Sequence, residues 1–150
     1  MSFRTEHRIG VAAPVDVIWD VLAELDGWTR WNPLYPRAEG RLLISAKLSL
    51  DMQLQGAPLK RIEGEVIDWV PNAQIHWREK TTLAETTRYM EIEKLTEEAS
   101  IFSNGVLSQG LGARYVSKRH RARLRAGFAA MGEAMKREAE AAWAARQAAA

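Results

Sequence analysis

RAGFAAMGEAMKREAE, residues 125–140, decides the fold of this chain. Its apolar residues fall at Phe128, Met131, Met135 and Ala139, and the same spacing of three or four reaches back through Leu124 and His120 to Val116. That period predicts one long amphipathic helix, from about residue 113 to about 146, with a single apolar stripe. The alanine-rich end, AAWAARQAAA, has little to anchor it and is expected to fray. A one-sided helix of this length needs another layer on which to bury its stripe.

Upstream the period is two. Leu42, Ile44, Ala46, Leu48, Leu50, Met52 and Leu54 take every even position, with mostly polar residues between them. One face is apolar and the other wet, as in an antiparallel sheet. Residues 60–70, 74–82, 85–95 and 99–109 predict four more strands, and the short separations at 70–73 and 96–98 predict hairpins. Residues 3–11 alternate in the same way and open the chain with a strand. Pro14 then suits the first turn of a helix over about 14–25, whose stripe is Val17, Ile18, Val21, Leu22 and Leu25. The segment DGWTRWNPLYP, residues 26–36, crowds aromatic rings around two X-Pro steps that discourage a long helix. The order predicts an α+β fold: a curved antiparallel sheet of six to seven strands wrapped around a long C-terminal helix, with two short helices after the first strand.

The totals fit that picture. The chain has 150 residues, the length of one domain, and it is read as a single domain over 1–150. Hydrophobic residues make up 47% and charged residues 27%, which argues against disorder. With no cysteine, disulfides, thiolate metal sites and cysteine nucleophiles are excluded. The net charge of +2 gives no ground for nucleic acid as a partner. The charged N-terminus lacks the apolar core of a signal peptide, and no apolar run is long enough to span a bilayer, so the expectation is a cytoplasmic protein without stable membrane insertion.

Two segments carry a resemblance. AAPVDVIWDVLAELDGWTRWNP, residues 12–33, holds A-P-x-x-x-[IV]-W-x-x-[IL] followed by W-x-x-W-N-P, and residues 125–140 close the chain with G-F-x-x-M. Together with the strand-rich middle they make the whole chain resemble the START/Bet v 1-like (SRPBCC, helix-grip) superfamily, in its bacterial polyketide cyclase/dehydrase-like branch. The resemblance implies a cavity between sheet and long helix that holds a hydrophobic or amphipathic small molecule. It does not imply one reaction, because a fold hosts many functions. Bacterial members often carry a histidine early in the sixth strand and a glutamate in the seventh. Arg88 and Val106 stand at the matching places here, which weakens an enzymatic reading.

The candidate cavity residues follow from face and period. Leu50, Met52, Leu54, Trp77, Met90, Phe102, Leu124, Phe128 and Met131 are expected as apolar walls. Met90 and Ile92 share a strand face with Arg88, so its guanidinium either points into the cavity mouth to meet an anionic group, or reaches water or a protein carboxylate at the strand end. Asn104 and Ser108 share the inner face of the seventh strand with Phe102 and Val106, and could bond a ligand, each other or the helix. Trp31 and Asn32, with Trp28 and Pro33, either gate a pocket or plug one end of the core. His120 lies on the helix stripe and His7 on the inner face of the first strand. No His spacing suits a metal, so no metal or other cofactor is expected. SKRHRARLR, residues 117–125, puts five Lys/Arg near the helix start, either as a solvated face or as a site for phosphate or a membrane surface.

The leading expectation is a binding protein for a lipid-like, aromatic or polyketide-like molecule, acting as monomer or homodimer. The alternatives are a cyclase/dehydratase-type enzyme without metal or redox cofactor, and a co-chaperone-like interaction domain with a filled core.

Overall fold

The computed structural model describes residues 2–80 and 84–150. β1 (Ser2–Val11) turns Phe3, Thr5 and Val11 inward. Pro14, at φ −63° and ψ 157°, caps α1 (Val15–Ala23), which buries Val17, Ile18 and Leu22. α1 ends sooner than its periodicity predicts. Glu24 leaves helical geometry, Leu25–Gly27 make a 3-10 turn, and α2 (Trp28–Trp31) is a single turn. Asn32 precedes a proline and is held extended, which stops the helix there.

The remaining elements are β2 (Arg37–Gly40), β3 (Lys47–Met52), β4 (Lys60–Val70), β5 (Gln74–Lys80), β6 (Glu85–Thr96), β7 (Ala99–Gln109) and α3 (Lys118–Ala149). The seven strands form one antiparallel sheet in the order β1-β7-β6-β5-β4-β3-β2. β1 pairs with β7 along its length, from Ser2 opposite Gln109 to Val11 opposite Ser100. The first and last strands are therefore neighbours, and the curved sheet grips α3. Phe102 of β7 and Phe128, Met131 and Met135 of α3 are fully buried where the two layers meet. Each such side chain contributes about 1.5–3 kcal/mol by leaving water. This is the α+β helix-grip architecture expected, with seven strands and two short helices after β1.

Three boundaries differ from expectation. The long strand over 42–54 is instead a turn followed by the shorter β3, and β2 was not foreseen. Gly40 and Ser45 have φ of +135° and +67°, so the chain turns twice before β3 begins. Ser45 N–H donates to Val66 O and Val66 N–H to Ala46 O, both at 2.8 Å, while Leu43 and Ile44 are left exposed. Alternation of side chains does not reveal a positive φ. α3 starts at Lys118, because Leu111–Tyr115 form a separate 3-10 turn and Ser117 Oγ accepts from His120 N–H at 3.1 Å as an N-cap. Its far end stays helical to Ala149, where Arg146 pairs with Asp16 and Asp20 of α1, both at 3.1 Å. Thr81 and Thr82, at the end of one expected strand, lie outside the described residues.

Candidate functional site

The start of β1, the end of β7 and the start of β6 lie side by side, since Gln109 faces both Ser2 and Glu85. The first turns of α3 cross this end of the sheet. Between them lies a pocket of about 110 Å³. Phe3, Val106, Val116 and Leu124 form its apolar walls, and Lys60, Glu79, Thr86, Arg88, Ser108 and His120 bring polar groups to it.

Arg88 is its centre. The residue is 4% exposed and faces inward with Met90. Its Nε lies 3.8 Å from Glu79 Oε2, too far for a hydrogen bond, and finds no other partner among the described residues. Its Nη1 donates to Met52 Sδ at 3.4 Å, an ordinary distance to a weak sulfur acceptor, and lies at a long 3.5 Å from Tyr35 Oη. Glu79 is shared, because its Oε1 also lies 3.9 Å from Lys60 Nζ. Arg88 thus faces inward, as one reading of its strand face expected, and meets a protein carboxylate, as the other did.

The aromatic stretch reaches this site by a relay of rings. Asn32 Oδ1 accepts from the N–H groups of Leu34 (3.0 Å) and Tyr35 (2.9 Å), a tight local turn that sets Tyr35 inward. Trp28 Nε1 donates to Leu22 O at 3.0 Å. Ring centroids then run from Trp31 to Trp28 at 6.3 Å, from Trp28 to Tyr35 at 6.1 Å, and from Tyr35 to Trp77 at 5.9 Å. Burial pushes the Tyr35 phenol above its usual range, with Arg88 opposing, so its hydroxyl stays protonated.

His120 stands at the rim, where α3 begins. Loss of water around the ring lowers its pKa from 6.5, and the positive charges of Lys60, Arg88 and Arg123 lower it further. A neutral imidazole therefore faces the pocket at pH 7. Among the described residues, no group of three or more His, Asp or Glu is placed to hold a metal ion.

Of the residues expected to line a cavity, Arg88, His120 and Leu124 do line this pocket, and Met52 lies behind Arg88. Leu50, Leu54, Trp77, Met90, Phe102, Phe128 and Met131 lie instead in a packed core, each 3% exposed or less. Asn104 Nδ2 donates to Phe128 O at 3.1 Å, so this amide ties the sheet to the helix. Trp31 and Asn32 lie outside the pocket lining and shape the loop that carries Tyr35. Sequence reasoning missed Glu79, Lys60 and Tyr35. A signal existed for the first two: Glu79 shares period-two parity with the buried Ile75 and Trp77, and Lys60 with the buried Ile62. A wider depression of about 370 Å³, between Trp19, Glu24, Leu42 and Trp69, is open to solvent and holds no buried charge.

No protein-family model matches the chain. No curated protein matches it either. Solved structures do. The Zhui aromatase/cyclase from Streptomyces sp. R1128 superposes with a TM-score of 0.73 at 20% identity, over 93% of this chain and 94% of that one. The fold is the START/Bet v 1-like fold. A START superfamily protein from Mycobacterium smegmatis shares it with a TM-score of 0.65 at 14% identity, over 95% and 98% of the two chains. Norcoclaurine synthase from Thalictrum flavum does so at 0.70 and 11%, over 93% and 94%. Within the START/Bet v 1-like fold this chain keeps a small pocket at one end and a filled core over the rest.

Proposed function

We propose that the chain binds a small hydrophobic or amphipathic molecule, lipid-like, aromatic or polyketide-like, at the pocket between the sheet and the start of α3. The observation that carries this reading is Arg88. A guanidinium almost removed from water is costly unless its donors are used, and among the described residues Arg88 meets a weak sulfur acceptor, a distant hydroxyl and a carboxylate at 3.8 Å, with Nε unbonded. An acidic or carbonyl oxygen entering from the rim would complete its fork. About 110 Å³ admits a polar end and a few further atoms, less than the few hundred Å³ usual for a whole drug-sized ligand. The body of the ligand would rest on Phe3, Val116 and Leu124 at the opening.

A second reading, a cyclase/dehydratase-type enzyme, is favoured by His120. A neutral imidazole beside a buried guanidinium is suited to accept a proton while Arg88 stabilises the oxygen that becomes negative. The solved structures that share the fold include an aromatase/cyclase and norcoclaurine synthase.

Native mass spectrometry of the purified protein, followed by titration with aromatic and fatty carboxylates, tests the first reading. Stoichiometric binding that falls at least about tenfold in Arg88→Leu is expected, the scale of one charge-assisted hydrogen bond. An empty protein that binds none of the series, or binds equally well without Arg88, overturns it. The second reading adds one demand: His120→Ala keeps binding and loses turnover.

A further inference from the structure

The surface around the pocket mouth holds a charge pattern that the pocket does not need. From Ala99 to Gly132 the chain contains no Asp or Glu. Lys118, Arg119, Arg121, Arg123 and Arg125 all fall in the first turns of α3, and none makes an ion pair with a described residue. Cations at this end oppose the helix dipole, so the fold gains nothing from their place. They also flank the pocket on both sides. The Arg121 guanidinium lies 4.7 Å over the Phe3 ring, and Arg123 lies beside Gly56, where an added Cβ would sit 3.3 Å from its Nη2.

Apolar side chains stand out from the same rim. Leu111 is 68% exposed and Tyr115 76%, on the 3-10 turn that leads into pocket-lining Val116. Leu59, 54% exposed, directly precedes pocket-lining Lys60. Elsewhere on the chain, cations such as Arg8, Arg30, Lys94 and Arg146 have carboxylate partners.

We infer that this rim docks on an anionic lipid bilayer, with Leu111, Tyr115 and Leu59 entering the headgroup layer and the basic turns of α3 lying over the lipid phosphates. Charge complementarity selects the occupant. Lys/Arg with no ion pair among the described residues, ringed with protruding aliphatic and aromatic side chains, match an interface that is negative outside and apolar a few ångströms in. An acidic protein would use the cations and leave Leu111 in water. The contact is peripheral, since no helix among the described residues is long and apolar enough to cross a membrane. The pocket would then open towards the bilayer. The inference stands on the rim and does not depend on what the pocket holds.

Vesicle co-sedimentation tests it, with phosphatidylcholine alone and with phosphatidylcholine mixed with phosphatidylglycerol. Binding to the mixed vesicles at low salt is expected, with release at about 1 M salt, where the screening length falls to about 3 Å. Arg119→Glu with Arg125→Glu should weaken it at least about tenfold, from roughly fivefold per basic residue lost. Leu111→Asp should weaken it severalfold, and Lys94→Glu, at the opposite end of the sheet, should leave it unchanged. Absence of binding, or equal binding to both lipids, overturns the inference. So does binding that ignores Leu111→Asp, which would leave an electrostatic contact that an acidic protein could make equally well. All four positions are exposed, and unchanged thermal unfolding of each variant confirms that binding alone was altered.

Discussion

The two halves of α3 are built for different ends. From Phe128 onwards the helix is packed and paired. Phe128, Met131, Met135 and Ala139 have no exposed surface, Glu140 Oε2 accepts from Ala12 N–H at 2.8 Å and from Lys136 Nζ at 2.5 Å, and Arg146 reaches two aspartates of α1. Before Phe128 the same helix borders a void, faces a buried arginine whose Nε has no hydrogen bond among the described residues, and carries cations that make no ion pair with a described residue. One half holds the helix on the sheet. The other tolerates unmet polar demand, and local cost that serves no packing is where function is to be sought.

That contrast can be broken most severely at Phe128. Phe128→Ala should cost about 3–5 kcal/mol in urea unfolding, because it opens a cavity in a packed layer. Leu124→Ala, which widens a void already present, should cost about 2 kcal/mol, at the lower end of the range for such truncations. Equal costs would mean that the two halves are packed alike.

Glu140 sharpens the packed side. Burial raises the pKa of this carboxyl, but the Lys136 ammonium and the Ala12 N–H outweigh it and hold the group below its usual 4.5. The folded form therefore binds its proton less readily than the unfolded chain. Its stabilising effect is complete above about the unfolded value and is lost as pH falls through the folded one. Glu140→Gln should cost about 1 kcal/mol at pH 7, the net worth of a typical hydrogen bond. The difference from the parent should vanish in acid, as unfolding curves taken at descending pH would show.

Arg146→Ala is expected to cost between about 0 and 1 kcal/mol, since its two ion pairs lie in water. A larger loss would make the C-terminal turns a clamp on α1 rather than a trim. The smallest effect belongs to the open half. The NMR titration midpoint of His120 should lie below 6.5, and Lys60→Met should raise it by removing one of the nearby positive charges. A midpoint above 6.5 would mean that Glu79, and not the cations, governs the rim.

Much of this was legible without coordinates. The stripe from Leu124 to Ala139, the period-two strands and the turn residues between them lead to an antiparallel sheet of six to seven strands around one helix, because period and handedness leave few ways to bury those faces; β2, the short edge strand, carries no such pattern. Parity with Met90 and Ile92 put Arg88 on their strand face but left open whether its guanidinium turns inward or reaches water or a carboxylate at the strand end. The cavity walls were not legible. Leu50, Phe102 and Met131 are inward residues in a filled core and in a hollow one alike, and period reports direction without reporting what stands opposite.

By itself, then, the order of amino acids determined the long helix, the main strands and the inward face of most of their residues, since a side chain's direction follows from local geometry. Only the tertiary structure decided that a small hollow opens at the start of α3, that Glu79 and Lys60 stand beside Arg88, and that Tyr35 reaches it from the aromatic loop. Those three partners come from β5, β4 and the aromatic loop, and their distances depend on how the sheet curves over α3. No local pattern encodes that curvature, because it arises from the packing of all the layers at once.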